Sequence, residues 1–435
     1  MIDFLIMYEH KNREINSDCL IKAELERRGY SVSIENTVNR QFFKYHFSKK
    51  PIVIAVISLY NDKVFHGHVT DMVGYCRKVV NLQWEQIGDI KSRGKLLIPD
   101  GHSKNAVHIC WSKKRAEFLQ QNGVQNAIHT GPIQMDFLKT EFASFYKSKD
   151  EIREIYAIKE SRILLYISSF SYVQMSEEDQ ERLASMSGLD IATRKVEAEE
   201  AQDKTLDIIE TYLLSHSNEA VIYRPHPGEL IVDKLKSLDY QYQNFYIISD
   251  YSIQQWIQIS DVVISWISTS ISEVYFSGKK CVILQPTDAK SWDDVLYKTA
   301  RISRTYEHLI NEIENNQLSF PIDEQTIIDN YGSKEDGFAY LKIVDLLEKI
   351  YKTEKYDMPK YERRLYLSAP TKRLVKSFIN RLGINERTFP FSKIPRCCNW
   401  LHFYAEYRKR IDLDYASEEE IEDITRRLRR IVNII

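Results

Sequence analysis

No stretch of this 435-residue chain approaches the ~20 consecutive apolar residues that a membrane-spanning helix needs. Met1 to Tyr8 is apolar but too short for a secretory leader, and Asp3 is out of place in one. The sequence therefore predicts a protein made and kept in the cytoplasm. Cysteine is sparse: Cys19, Cys76, Cys110, Cys281, Cys397 and Cys398 form no CxxC pair and no Cys/His metal spacing. They read as reduced cytosolic thiols. Net charge is only −2, so nothing pulls the whole chain toward nucleic acid, and no such partner is expected. The loop after the first strand has no G-x-G-x-x-G, which excludes the usual dinucleotide cradle. No D-x-D pair stands in a convincing strand-end loop, so neither an obligatory metal nor a cofactor is expected.

What remains is a globular composition, 43% hydrophobic and 28% charged, in a chain long enough for two domains. Strand-like and helix-like stretches alternate. Phe4 to Tyr8 is a strand, Asp18 to Arg28 has helical periodicity with Gly29 as its stop, and Tyr30 to Ile34 alternates as a second strand. That is the opening βαβ of a doubly wound domain. Pro51 to Leu59 is a continuous apolar run of the kind buried in a parallel sheet. Val79 to Leu82 and Val107 to Trp111 follow it as strands, and a helix spans Ser112 to Gln121. Ile163 to Ile167 opens a second set. Glu177 to Glu200 is polar and reads as a surface insertion, followed by a helix from Asp203 to Ser215.

The most informative stretch is Ala220 to Pro286. Its first part, Val221-Ile222-Tyr223-Arg224-Pro225-His226-Pro227-Gly228-Glu229, is an apolar strand running into a loop with an Arg, a His and two prolines. Its second part, SDVVISWISTSISEVYFSGKKCVIL from Ser260 to Leu284, places Ser268, Thr269 and Ser270 between a strand and a helix. Open α/β sheets bind ligands at the carboxyl ends of their strands. A helix opened by Ser or Thr offers free N–H groups and a positive dipole end to phosphate. Arg224 and His226 add charge and donors nearby. The combination points to a nucleotide-phosphate site.

This series resembles bacterial surface-polysaccharide glycosyltransferases of the GT-B architecture. It is similar to the HP and serine-rich motifs of polysialyltransferases and capsule Kdo transferases, and shares its layout with CDP-glycerol glycerophosphotransferases. The resemblance implies that His226, Ser268, Thr269 and Ser270 hold the donor phosphate, with Glu273 near the ribose. It also implies two Rossmann-like parallel-sheet domains facing each other across a cleft. Boundaries are expected at 1–150 for the acceptor-side domain, 151–335 for the nucleotide domain, and 336–435 for closing helices and a basic tail. Ser169, in the run Ser168-Ser169-Phe170-Ser171 after a strand, is a further hydroxyl able to reach the donor. Ala127 to Leu138 loosely resembles the G-x-P-x-x-D-x-L turn of such enzymes. Gly131 and Pro132 are adjacent here and no basic residue follows, so Asp136 reads as structural.

A base for the acceptor hydroxyl should come from the first domain. Glu85 follows Trp84 at the end of a strand, where an aromatic wall can raise a carboxylate's pKa. Asp100 before Gly101 is the second candidate, and resembles part of the acidic-Gly motif of polysialyltransferases. The HP resemblance favours a CMP-activated acidic sugar such as Kdo or a sialic-acid relative, moved to a polysaccharide or lipid-linked glycan. A CDP-polyol phosphotransferase is the alternative enzyme, and a non-catalytic capsule-assembly scaffold the alternative of another class. Between Lys352 and Arg410 there are 15 Lys/Arg against 5 Asp/Glu. The amphipathic run Thr371 to Leu382 within that tail would place the protein peripherally on an anionic membrane surface.

Overall fold

The computed structural model describes residues 1–37, 44–45, 49–74, 76, 78–86, 98–226, 228–292, 294–315, 317–353 and 415–434. The basic run from Thr371 to Leu382, with nearly all of the tail it belongs to, lies outside the described residues. Two compact units emerge. One is built from Met1–Gln86, the described residues up to Ile133 and the chain from Asp336 onward; the other is centred on Gln134–Glu335.

The first unit carries a six-stranded sheet of β1 (Ile2–Tyr8), β2 (Val32–Asn36), β3 (Pro51–Val56), β4 (Lys78–Asn81), β5 (Val107–Cys110) and β6 (Ala127–His129), in the order β2-β1-β3-β4-β5-β6. Every pairing is parallel. Parallel strands are covered on both faces, which is why their sequences are runs of Ile, Leu and Val rather than alternations. Leu5, Ile6, Ile54, Val56 and Val79 are fully buried. The strand expected over Pro51 to Leu59 ends at Val56, because from Ile57 the chain leaves the sheet as a loop. The helix Lys11–Arg27 begins well before the expected Asp18. Its start is fixed by buried Glu14, whose Oε2 accepts the Glu9 and His10 main-chain N–H groups at 2.6 and 3.1 Å. Charged residues mask this turn in the sequence. The last helix, Glu418–Val432, packs along Lys11–Arg27, with Arg429 paired to Glu26 and Lys22 to Glu422.

The second unit repeats the plan with β7 (Arg162–Ile167), β8 (Glu219–Arg224), β9 (Phe245–Ile247), β10 (Val262–Ser265), β11 (Lys280–Leu284) and β12 (Ile302–Ser303), in the order β12-β11-β10-β7-β8-β9. These pairings are parallel too. Glu177 to Glu200 is not a simple surface insertion. Its second half begins the 25-residue helix Ile191–Ser215, which buries Ala198 and Ala201 in the core around the sheet. The core positions there are alanines set among glutamates, so the apolar stripe is too thin to see in the sequence. Two six-stranded parallel sheets, each wrapped by helices, form two Rossmann-like units.

Candidate functional site

In an open parallel sheet the binding crevice opens where the chain reverses its direction of winding, because the two loops leaving that point diverge. In the second unit the chain runs β7, β8, β9 to one side and then returns to lay β10 on the other side of β7. The reversal lies between β7 and β10. The loop after β7 carries Ser168 and Ser169, the loop after β10 carries Ser268 to Ser270, and the loop after β8, one strand over, carries His226. The topology therefore brings these sequence-predicted residues to one edge of one sheet.

His226 is exposed, and its backbone and ring are both fixed. The Gly228 main-chain N–H donates to His226 Nδ1 at 3.1 Å, so the neutral ring carries its proton on Nε2. Burial of the ring's surroundings lowers its pKa, which favours that neutral form. The loop itself is tied down by Glu229. One carboxylate oxygen accepts Tyr223 OH at 2.5 Å and Gln202 Nε2 at 3.0 Å; the other accepts Ser168 Oγ at 2.5 Å and the His226 main-chain N–H at 3.0 Å. Glu229 thus joins β7, β8, the long helix and the His226 loop at a single carboxylate. The sequence displays this residue directly after the HPG run, but its role depends also on donors from two distant segments, at Ser168 and Gln202.

Arg224 sits at the end of β8, half-buried, with Nη1 donating to Asp250 O at 2.8 Å and Nη2 to Tyr251 O at 2.5 Å. Burial brings its pKa down to about 10, still far above neutrality, so the side chain stays charged. Its terminal nitrogens clamp the loop after β9, and its contribution at the strand edge is positive potential. Ser169 Oγ is buried and has no hydrogen-bond partner among the described residues. A buried hydroxyl in that state costs free energy unless something satisfies it.

The loop after β10 is held by Tyr297, a half-buried residue that the sequence reading did not single out. Its hydroxyl accepts the Ser268 N–H at 2.7 Å and faces the Ser268 and Trp266 carbonyls at 2.7 and 3.1 Å. Ser268 Oγ accepts the Ser270 N–H at 3.3 Å, Thr269 is exposed, and the helix Ile271–Ser277 follows. In its first turn Glu273 is buried beside Tyr146, with Gln254 Nε2 donating to Oε1. Burial raises the Glu273 pKa from 4.5 to about 7, against hydrogen bonds from Ser270 and Gln254 that lower it.

That shift has a measurable consequence. The folded chain holds a proton that the unfolded chain has released, so stability falls as pH rises from 4.5 toward about 7. Glu273→Gln removes this loss and should gain on the wild type between pH 5 and pH 8 by up to about 3 kcal/mol. Thermal melts of both proteins across that range provide the check. Parallel curves would show that Glu273 is ionised in the fold throughout.

In the first unit the reversal lies between β1 and β3. Glu85 follows β4 in a turn held by buried polar groups. Gln83 adopts φ +47°, Asn81 Oδ1 accepts its N–H at 3.2 Å, and its Nε2 donates to Glu85 O at 2.8 Å. The Glu85 carboxylate is ion-paired with Arg13, at the start of the first helix. Trp84 is buried. Asp100 is exposed, and its N–H donates to Tyr60 O at 2.9 Å. Asp136 is buried in a 3₁₀ turn, 3.6 Å from Lys139 Nζ.

No family model matches the chain, and no curated protein matches it in sequence. Solved structures do. A variant of the wall teichoic acid polymerase TagF is 12% identical with a TM-score of 0.52, over 81% of this chain and 89% of that one. The UDP-GlcNAc 2-epimerase of Neisseria meningitidis, in a structure bound to UDP-GlcNAc, is 11% identical with a TM-score of 0.50, over 80% of this chain and 100% of that one. At such identities the likeness speaks for the fold alone. The chain has the GT-B fold. Among the described residues no helix is long and apolar enough to cross a membrane.

Proposed function

We propose that the chain is a glycosyltransferase that moves a sugar from a cytidine nucleotide donor to a surface polysaccharide or glycolipid acceptor. The observation that carries this reading is His226: an exposed, neutral imidazole with its proton on Nε2, locked to the carboxyl edge of the second sheet by Glu229. A neutral donor of fixed orientation suits a phosphate oxygen that gains charge as the sugar leaves. Ser169, Ser268, Thr269 and Ser270 supply hydroxyls to the same phosphate, and Arg224 supplies potential without direct contact. Glu273 accepts hydrogen bonds from the ribose hydroxyls, with its raised pKa drawn down when they bind. The HP loop favours a CMP-activated acidic sugar. Transfer needs a base on the acceptor side, and Glu85 and Asp100 are the carboxylates that the acidic-site reading places there.

A second reading has the same edge binding a CDP-polyol, with a polyol phosphate transferred instead of a sugar. It draws support from TagF, whose structure was also determined after a soak with CDPG. Both readings require cytidine. A thermal-shift panel of CMP, CDP, UDP and GDP at equal concentration tests it, because a ligand of the native state raises stability by RT ln(1 + [L]/Kd). CMP or CDP should give the largest rise. A clear preference for UDP or GDP would remove the cytidine assignment.

A further inference from the structure

The second unit carries a further cleft, at the amino edge of its sheet and so at the opposite end of the strands from His226. Asp261 stands immediately before β10 and Lys279 immediately before β11, and these two strands run parallel. With the run from Ala143 to Lys149 and the last turn of the helix Ile253–Ile259, they enclose a cleft of about 470 Å³. The described residues that line it all belong to the second unit.

Its walls are fixed and its two carboxylates are already engaged. Buried Gln255 accepts the Lys147 N–H on Oε1 and donates from Nε2 to Lys147 O, both at 2.8 Å. Ser148 Oγ accepts the Glu151 N–H at 3.2 Å, and Glu151 Oε2 turns back to accept the Ser148 N–H at 2.7 Å. Asp261 Oδ2 accepts the Ile163 N–H at 2.7 Å and Lys149 Nζ at 2.6 Å. Against these two acids the lining sets three ammonium groups, of Lys147, Lys149 and Lys279. Lys279 is half-buried, and its Nζ donates to the Ser260 carbonyl at 2.9 Å without an ion pair among the described residues. Burial lowers its pKa, Asp261 pulls it back up, and the Lys149 charge lowers it again. The Lys147 side chain makes no hydrogen bond or ion pair among the described residues. Hydrogen bonds from Ser148, and after them the Lys147 charge, lower the Glu151 pKa. A half-buried ammonium beside a second one is stabilised by an anion from outside.

The rest of the lining says what kind of anion. Ala143, Tyr146 and Ile259 give the cleft an apolar wall, which an inorganic ion would leave uncovered. Pockets of this size take small organic ligands. A sugar ring has an apolar face to lay on Tyr146 and hydroxyl groups for Ser144 and Ser148, which both line the cleft. We propose that this cleft binds a negatively charged monosaccharide unit, one that bears a carboxylate or a phosphate, with Lys147 and Lys279 on the charge and Tyr146 against the ring. The site is separate from the donor edge, and the inference does not rest on the transferase reading.

The test titrates the full chain with glucuronic acid, glucose 6-phosphate, glucose and inorganic phosphate at low, matched ionic strength. Saturation-transfer NMR follows the sugars, and thermal melts follow all four. At least one of the two charged sugars should bind about tenfold more tightly than glucose, and the tighter of them identifies the charged group as carboxylate or phosphate. Lys147→Ala and Lys279→Gln should each weaken that binding about tenfold, the size of a lost hydrogen bond to a charged group. His226→Ala should leave it unchanged, and both lysine variants should keep the wild-type response to CMP. Glucose binding as tightly as the charged sugars, or no sugar binding at all, overturns the proposal. So does inorganic phosphate that raises the melting temperature as far as the charged sugars do. Binding that survives Lys147→Ala, or that is lost in His226→Ala, overturns it as well. Should Lys279→Gln fail to fold, Lys147→Ala decides, because that side chain holds nothing in place. A wild type that binds a charged sugar in this way but not CMP upholds the inference and removes the cytidine reading.

Discussion

Replacing His226 by alanine is expected to lower donor turnover by about 10²-fold or more, with the melting temperature nearly unchanged. The size follows from what the ring supplies. A single preorganised donor to a developing oxyanion accounts for roughly 10²- to 10³-fold in rate when it is removed. His226 fits that description because the Gly228 N–H on Nδ1 leaves Nε2–H as the donor, and because its main chain is fixed on Glu229. The fold should survive since the ring is exposed and little packing is lost. Steady-state CMP release and a thermal melt, taken together, decide the matter. An unfolded variant would make His226 a structural residue, and a fully active one would remove it from the site.

Glu229→Gln is expected to cost more in stability than any surface change and to lower turnover as well. The carboxylate receives donors from Tyr223, Gln202, Ser168 and the His226 main chain. An amide presents one oxygen and one NH₂, so one pair of donors would face another donor in a buried site. Each unsatisfied buried group costs about 1–3 kcal/mol, and more where a charge is involved. A total of about 3 kcal/mol translates into a fall of roughly 6–12 °C in melting temperature for a unit of this size. The released His226 loop should also lose its CMP-dependent stabilisation. Unchanged melting and unchanged turnover would mean that these bonds are replaced by others without cost.

These two residues show what the sequence reveals and what it hides. The strand ends, the HP loop and the hydroxyl cluster are local signals, because apolar runs and turn residues declare themselves over a few positions. They suffice to place the parallel sheets and to find His226, Ser268, Thr269 and Ser270 on loops at strand ends. What locks those loops is non-local. Tyr297 is 29 residues from the Ser268 it holds, and Gln202 is 27 from Glu229. The Asp62–His102 pair spans 40 residues and the Arg13–Glu85 pair 72. No periodicity links such positions. Glu85 attracts attention through its neighbour Trp84, whereas its actual partner is an arginine on the first helix. The helix Ile191–Ser215 is underestimated for a related reason: alanines can be a buried face without looking hydrophobic.

The central claim is that a cytidine nucleotide binds the carboxyl edge of the second sheet through His226. A structure of the chain with CMP tests it most directly. The expected result places the phosphate within hydrogen-bonding distance of His226 Nε2 and of at least one hydroxyl among Ser169, Ser268, Thr269 and Ser270, with the ribose hydroxyls on Glu273. CMP bound with its phosphate away from His226 and these hydroxyls, or absent at concentrations where UMP or GMP occupies the edge, would contradict the account.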